Sequence, residues 1–233
     1  MDYRNRHVVV TGGTGALGTA VVGALIEAGA VCHVPYRSEE EAQRFPHRDS
    51  SQTELVKLAD LADEAAVTSF YGGLGSLWAS IHIAGGFAFA PIGASDKSVL
   101  VGQLETNLVS AYLCSRAAVA ACRRAGGGGR IVNVAARQAL EPRQGASMTA
   151  YTAAKAAVVA LTVALAEEVA KDGILVNAVA PSIMDTPANR QSMPKADFAA
   201  WPKVAEVAAT IAFLASPQNA VTRGAIVPVY GKA

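Results

Sequence analysis

The chain has 233 residues, 52% apolar and 17% charged, with 20 basic against 19 acidic residues and a formal net charge of +1. That apolar share supplies the core of one large domain and excludes a disordered chain, which is poor in apolar residues and carries unbalanced charge. With no Lys/Arg-rich run, the charge pattern argues against a nucleic-acid partner.

In chain order, His7 to Thr11 is a short β-branched run read as the first strand. A helical pattern follows, with Leu17, Val21 and Leu25 on one face beside Val22 and Ile26, and Gly29 stands where a left-handed cap would end it. A second strand is expected over about Ala30 to Tyr36 and a third over about Glu54 to Leu58, after which Asp60 is the candidate N-cap. The remaining strands fall at about Trp78 to Ile83, Arg130 to Val134, Ile174 to Val179 and Ala225 to Val229. Long helical patterns cover about Gln103 to Arg124 and Thr149 to Lys171, and Gly126 to Gly129 is read as a loop. Near-continuous apolar strands alternating with helices predict an α/β fold: a doubly wound, seven-stranded parallel sheet (a Rossmann fold) flanked by helices on both faces, in a single domain over residues 1–233.

The longest uncharged apolar stretch, Ala156 to Ala166, is shorter than the roughly 18 residues a membrane span needs, so no membrane partner is expected. The first residues run directly into the first strand without a signal-like apolar region. Three cysteines, Cys32, Cys114 and Cys122, form no CxxC pair, which predicts a reducing, cytoplasmic setting. The four histidines are scattered, and no metal site is expected.

Thr11 to Gly18 joins the first strand to the first helix, and Gly13-x-Gly15-x-x-Gly18 satisfies the dinucleotide fingerprint. Glycine lets the backbone turn tightly and approach a pyrophosphate, which then rests on the positive end of the helix. Nineteen residues beyond Gly18, at the end of the second strand, stand Tyr36 and Arg37, with no acid to hold ribose hydroxyls. An arginine there forms charge-assisted bonds to a 2′-phosphate, so NADP(H) is favoured over NAD(H); the alternative is a surface arginine capping the acidic helix that begins at Glu39.

Tyr151 and Lys155 lie four residues apart, on one face of one helix. A free phenol titrates near ~10, and a neighbouring cation lowers that value, giving a proton donor and acceptor for a carbonyl or alcohol. With the glycine turn, the chain resembles the short-chain dehydrogenase/reductase family over essentially its whole length, through Thr11 to Gly18, Asp60-Leu61, Ala84-Gly85, Asn107, Tyr151 to Lys155 and Asn177 to Pro187.

The resemblance implies Tyr151 as general acid/base, Lys155 on the nicotinamide ribose and Asn107 supporting a water in the proton relay. It also implies cofactor contacts from Gly12, Thr14, Gly15, Leu17, Gly18, Tyr36, Arg37, Asp60, Leu61, Ala84, Gly85 and Pro181, with Ile183 and Thr186 at the carboxamide. Family members commonly pair through the two long helices, so a homodimer or homotetramer is expected.

Three positions depart from the family pattern. The serine usually found about 13 residues before the tyrosine is replaced by Gln138, whose amide can donate instead, with Ser147 as a second candidate. His82 stands where the family has asparagine and reads best as a satisfied core histidine. Ala16 replaces a turn glycine, giving a turn like that of dihydropteridine reductase, a member that also lacks the serine, and like that of longer members with an added substrate domain, for which this chain has no room. Arg137 and Arg143 would favour an acidic substrate if they face the site, and Pro187 to Pro202 is either a short substrate cover or a plain connector. The expected activity is NADP(H)-dependent reduction of a small-molecule carbonyl, or alcohol oxidation in reverse; the alternatives are a pterin- or quinone-type reductase, or a weakly catalytic dinucleotide-binding sensor or assembly protein.

Overall fold

Seven short runs rich in β-branched residues pair side by side because each connection between neighbours carries a helix that returns the chain across a sheet face. The computed structural model describes residues 1–233 and contains β1 (His7–Thr11), β2 (Val31–Tyr36), β3 (Thr53–Lys57), β4 (Ala79–His82), β5 (Gly129–Val134), β6 (Ile174–Pro181) and β7 (Ile226–Val229). All are parallel, in the order β3-β2-β1-β4-β5-β6-β7. The strands lie within a residue of where the sequence places them, except that β6 runs two residues further, to Pro181, and Gly129, read as loop, opens β5 by pairing with Ile174. The winding direction reverses between β1 and β4, and in such sheets the crevice outside the carboxyl ends at that point takes the ligand.

Side chains alternate across the strands, so Val8 and Val10 face one layer and Val9 the other. The first layer packs on α1 (Ala16–Glu27) and α9 (Val204–Ala215), with Leu25, Ile211 and Leu214 buried among the strand residues. The opposite layer gathers Tyr71 of α3 (Glu64–Gly72), Leu113 and Val119 of α5 (Ser110–Arg124), and Ala166 of α7 (Thr149–Glu168). Helix α7 has 20 residues at mean hydropathy 1.5, the length and composition of a bilayer span, which the shorter Ala156 to Ala166 run understates. Its buried stripe is Ala154, Lys155, Val158, Thr162 and Ala166, at helical spacing.

Two helix boundaries differ from expectation. Asp60 is not an N-cap: Asp63 caps α3, accepting from the N–H groups of Ala65 and Ala66, while Asp60 closes a local turn by accepting from Ala62 N–H at 2.8 Å. The helix expected to start at Gln103 begins earlier, as α4 (Lys97–Leu104) capped by Asp96, and passes through a wide π turn over Glu105–Val109 before α5. Such turns open the helical ladder and let side chains reach backbone groups.

Candidate active site

The β1–α1 turn has no space for side chains at Gly12, Gly13 and Gly18. Gly12 lies at φ +66°, and a Cβ there would stand 2.6 Å from the backbone nitrogen of Ala84; one on Gly18 would stand 2.0 Å from the Gly12 carbonyl oxygen. The N-cap of α1 is Gly15, which offers no side-chain acceptor, so the first N–H groups of a 12-residue helix have no side-chain cap. They border a cleft of about 600 Å³. A glycine cradle closed by an uncapped helix N-terminus suits a dinucleotide pyrophosphate.

The cleft brings together most of the expected cofactor residues. Gly12, Thr14, Gly15, Leu17 and Gly18 form its floor, Tyr36 and Arg37 its β2 rim, Asp60 and Leu61 its β3 wall, and Ala84 and Gly85 its β4 edge. Pro181, Ile183 and Thr186 lie outside it: Pro181 ends β6, Ile183 is exposed, and buried Thr186 caps α8 (Pro187–Ser192) by accepting from Asn189 N–H. One acid that sequence reading left on the surface also lines the cleft. Glu41, on α2 (Glu39–Arg44), accepts the Arg37 backbone N–H at 3.1 Å and stands 3.6 Å from its guanidinium. The signal available in the sequence was the i, i+4 spacing of these two residues.

Lys155 reaches from α7 into the sheet edge, where its Nζ donates to the Val134 carbonyl at 2.8 Å. Asn107, inside the π turn, is also buried; its amide donates to the carbonyls of Gly86 and Gln103 and its oxygen accepts from Gly86 N–H. The two side chains bracket Gly85, whose missing Cβ would lie 2.7 Å from Asn107 Oδ1 and 3.3 Å from Lys155 Nζ. Tyr151 is half-buried one helical turn before Lys155, with its ring edge-on to that of Phe87 at 5.1 Å between centroids.

The electrostatics run against one expectation. The lysine does not lower the tyrosine: burial pushes the Tyr151 phenol up to about 12 and the Lys155 ammonium down to about 8. Desolvation disfavours the charged form of each group. At neutral pH the phenol therefore keeps its proton.

Just before the position of the missing serine, β5 runs into buried Ala135 and Ala136, neither of which has a side-chain donor. Gln138 follows on the short helix α6 (Arg137–Leu140), half-buried, with its amide making no hydrogen bond within the protein. Ser147 precedes α7 in the left-handed region at φ +61°, and its carbonyl accepts from Ala90 N–H. Arg137 is paired with Glu141 at 2.9 Å and lies over the ring of Tyr230. The segment from Pro187 is no plain connector: Arg190 grips Asp185 and lies over Phe198, and Phe198 meets Trp201.

His82 is a core residue, as its sequence context suggests. It is buried in a chain of polar side chains running from Tyr71 through Ser80, His82 and Asn133 to Thr162 on α7. Burial brings its pKa down to about 4, so the ring is neutral.

The family model described as short chain dehydrogenase matches residues 6–197, and the chain belongs to that family. It is therefore an NAD(P)-dependent oxidoreductase. It is 35% identical to galactitol 2-dehydrogenase of Rhizobium johnstonii, over 96% of this chain and 93% of that protein. It is 33% identical to cis-4-hydroxycyclohexanecarboxylate dehydrogenase of Sinomonas cyclohexanicum, over 98% and 96%. Among solved structures, ElxO with NADP bound shares the fold at a TM-score of 0.87 and 24% identity, over 97% of both chains. A short-chain type dehydrogenase/reductase from Mycobacterium ulcerans superimposes at 0.90 and 22% identity, over 100% of this chain and 90% of that one.

Proposed function

We propose that this protein reduces a small carbonyl compound with NADPH, or oxidises the corresponding alcohol in reverse, with Tyr151 passing the proton. The supporting observation is the Tyr151/Lys155 pair on one face of α7, with Lys155 buried against Val134 and Gly85 at the edge of the phosphate-binding cleft. When bound, the nicotinamide supplies or takes up the hydride. Tyr151, protonated at neutral pH, donates to the substrate oxygen in the reducing direction. Lys155 orients the nicotinamide ribose, and Asn107 holds the Gly85–Gly86 backbone and supports the water that returns the proton. Gln138 supplies the donor for the substrate oxygen, since its amide is unpaired and the preceding alanines have none.

Arg37 supports NADP(H) over NAD(H): its guanidinium is 77% exposed at the cleft rim and would exchange its 3.6 Å contact with Glu41 for a 2′-phosphate. A second reading, NAD(H), is favoured by Glu41, whose carboxylate lines the same rim and suits ribose hydroxyls. The lack of a hydroxyl after β5 also supports a pterin- or quinone-type substrate, which needs less polarisation. Leu100, Tyr112 and Val163, exposed on α4, α5 and α7, support a homodimer or tetramer formed through these helices. Free buried thiols at Cys32, Cys114 and Cys122 are in keeping with a reducing cytoplasm.

Tyr151→Phe tests the mechanism. Turnover of a carbonyl panel should vanish while NADPH binding, followed by fluorescence titration, stays within a few-fold. Undiminished turnover in this variant removes the tyrosine from the chemistry.

A further inference from the structure

Residues 84–91, between β4 and the next helical turn, form a loop pinned at both ends. Near its start, Gly86 exchanges two hydrogen bonds with the Asn107 side chain; near its end, Ala90 N–H donates to the Ser147 carbonyl at 2.9 Å. Ser147 takes a left-handed conformation four residues before Tyr151, a geometry that non-glycine residues adopt only when their surroundings impose it. Between these pins the loop presents aromatic rings. Phe87 stacks edge-on against Tyr151, at 5.1 Å and 79°, yet remains 62% exposed, and Phe89 is 66% exposed. A soluble chain leaves a large apolar side chain open beside a reacting hydroxyl at a cost in solubility, and a substrate that covers it removes that exposed area from water.

Three cations on the surrounding elements are already committed, whereas Arg143, on the turn before α7, is exposed and makes no ion pair. Arg137 is held by Glu141, and Arg190 by both carboxylate oxygens of Asp185. Lys155 is turned to the Val134 carbonyl. None of the three offers a free cation to a carboxylate or phosphate on the substrate.

We infer that the substrate is a carbonyl compound bearing an aryl or alicyclic group next to the carbonyl, and that Phe87 is the residue that selects it by contact with that group. This rests on the reductase reading above. In the reaction, the carbonyl carbon gains a hydride from the reduced nicotinamide and the oxygen gains the Tyr151 proton, which the phenol recovers from water; the ring on the substrate takes no part. Phe87 thus acts through binding alone, since aromatic pairs prefer the edge-to-face arrangement it already makes with Tyr151.

A matched set of ketones tests this on the full-length protein with saturating NADPH and, separately, NADH. 1-Phenyl-1,2-propanedione and 2,3-butanedione differ by a phenyl for a methyl group, and pyruvate adds a carboxylate. The expected order of kcat/KM is phenyl dione above both butanedione and pyruvate by at least tenfold. Phe87→Ala should cut the phenyl-to-methyl ratio at least fivefold, mainly through KM, and Phe87→Leu should restore part of it. Equal or higher kcat/KM for butanedione or pyruvate overturns the substrate class while leaving the reductase reading in place. A ratio unmoved by Phe87→Ala in a folded variant overturns the role of Phe87. Tight cofactor binding with no turnover of any of the three overturns both readings together.

Discussion

His82 Nδ1 lies 2.8 Å from Asn133 Oδ1, and the partners on either side leave this contact one polarity. Thr162 must donate its hydroxyl proton to the Val158 carbonyl, so it accepts from Asn133 Nδ2 at 2.9 Å. The Asn133 oxygen therefore faces His82, Nδ1 carries the imidazole proton, and Nε2 accepts from Ser80, which in turn accepts from Tyr71. The result is a one-way chain across β4 and β5 that anchors α7 two turns beyond Lys155.

His82→Leu should destabilise the protein by about 2–4 kcal/mol, because it leaves the Ser80 hydroxyl proton and the Asn133 side-chain oxygen without their His82 partner in the core. The wild type should also lose stability as pH falls from about 6.5 to about 4, since only the unfolded imidazole takes up a proton in that window. The variant should lack this component. Urea denaturation of both proteins across pH 4–7 measures it, and parallel pH profiles would remove His82 from the acid response.

Lys155 adds a component of the same sign at higher pH. Its unfolded pKa is near the ordinary 10.5 and its folded value about 8, so between these the unfolded chain binds more protons and stability rises with pH. Lys155→Met lacks that component while keeping Tyr151. The gap between the two proteins should shift towards the wild type by about 2–3 kcal/mol from pH 7 to pH 10. Denaturation midpoints at unit pH steps would show it, and a constant gap contradicts the buried lysine.

Arg37 and Glu41 pull cofactor choice in opposite directions. Arg37→Ala should weaken NADPH binding about tenfold with little effect on NADH, the worth of a charge-assisted hydrogen bond. Glu41→Gln removes the competing carboxylate and should raise the NADPH-to-NADH ratio of kcat/KM. A wild type that prefers NADH, and loses NADH affinity in Glu41→Gln, would assign the rim to NAD.

Gln138→Ala separates the substrate readings. If the amide polarises the substrate oxygen, kcat should fall about 100-fold for an unactivated ketone, the size typical of a lost oxyanion donor. A quinone, already activated, should lose far less. A uniform small loss across both would free Gln138 of this role.

Gly85 has no space for a methyl group between Asn107 and Lys155. Gly85→Ala must displace one of them, and should raise the KM for cofactor at least tenfold with a modest change in melting temperature. Cofactor titration and thermal unfolding on the same preparation distinguish this from general misfolding.

Much of this architecture is legible in one dimension. Strand positions follow from runs such as Val8-Val9-Val10, because a strand buried on both faces needs unbroken apolar residues. The glycine turn, the rims at Arg37 and Asp60, and the Tyr151/Lys155 spacing are local patterns, and the cleft gathers all but the Tyr151/Lys155 pair directly. The capping of α3 was misplaced by three residues because Asp60 and Asp63 are equally good caps in isolation, and only the turn before the helix decides between them.

What the amino-acid order determined by itself was the alternation of strand and helix, and with it a sheet whose carboxyl edge carries a glycine-rich turn. Tertiary structure alone decided the charge states and the neighbours. Tyr151 rises and Lys155 falls because each is desolvated by residues distant in the chain; Glu41 comes to the cofactor rim; and Phe87, 64 residues before Tyr151, comes to rest against its ring. Local pattern encodes backbone preference, whereas desolvation and side-chain contact depend on what the rest of the chain packs alongside.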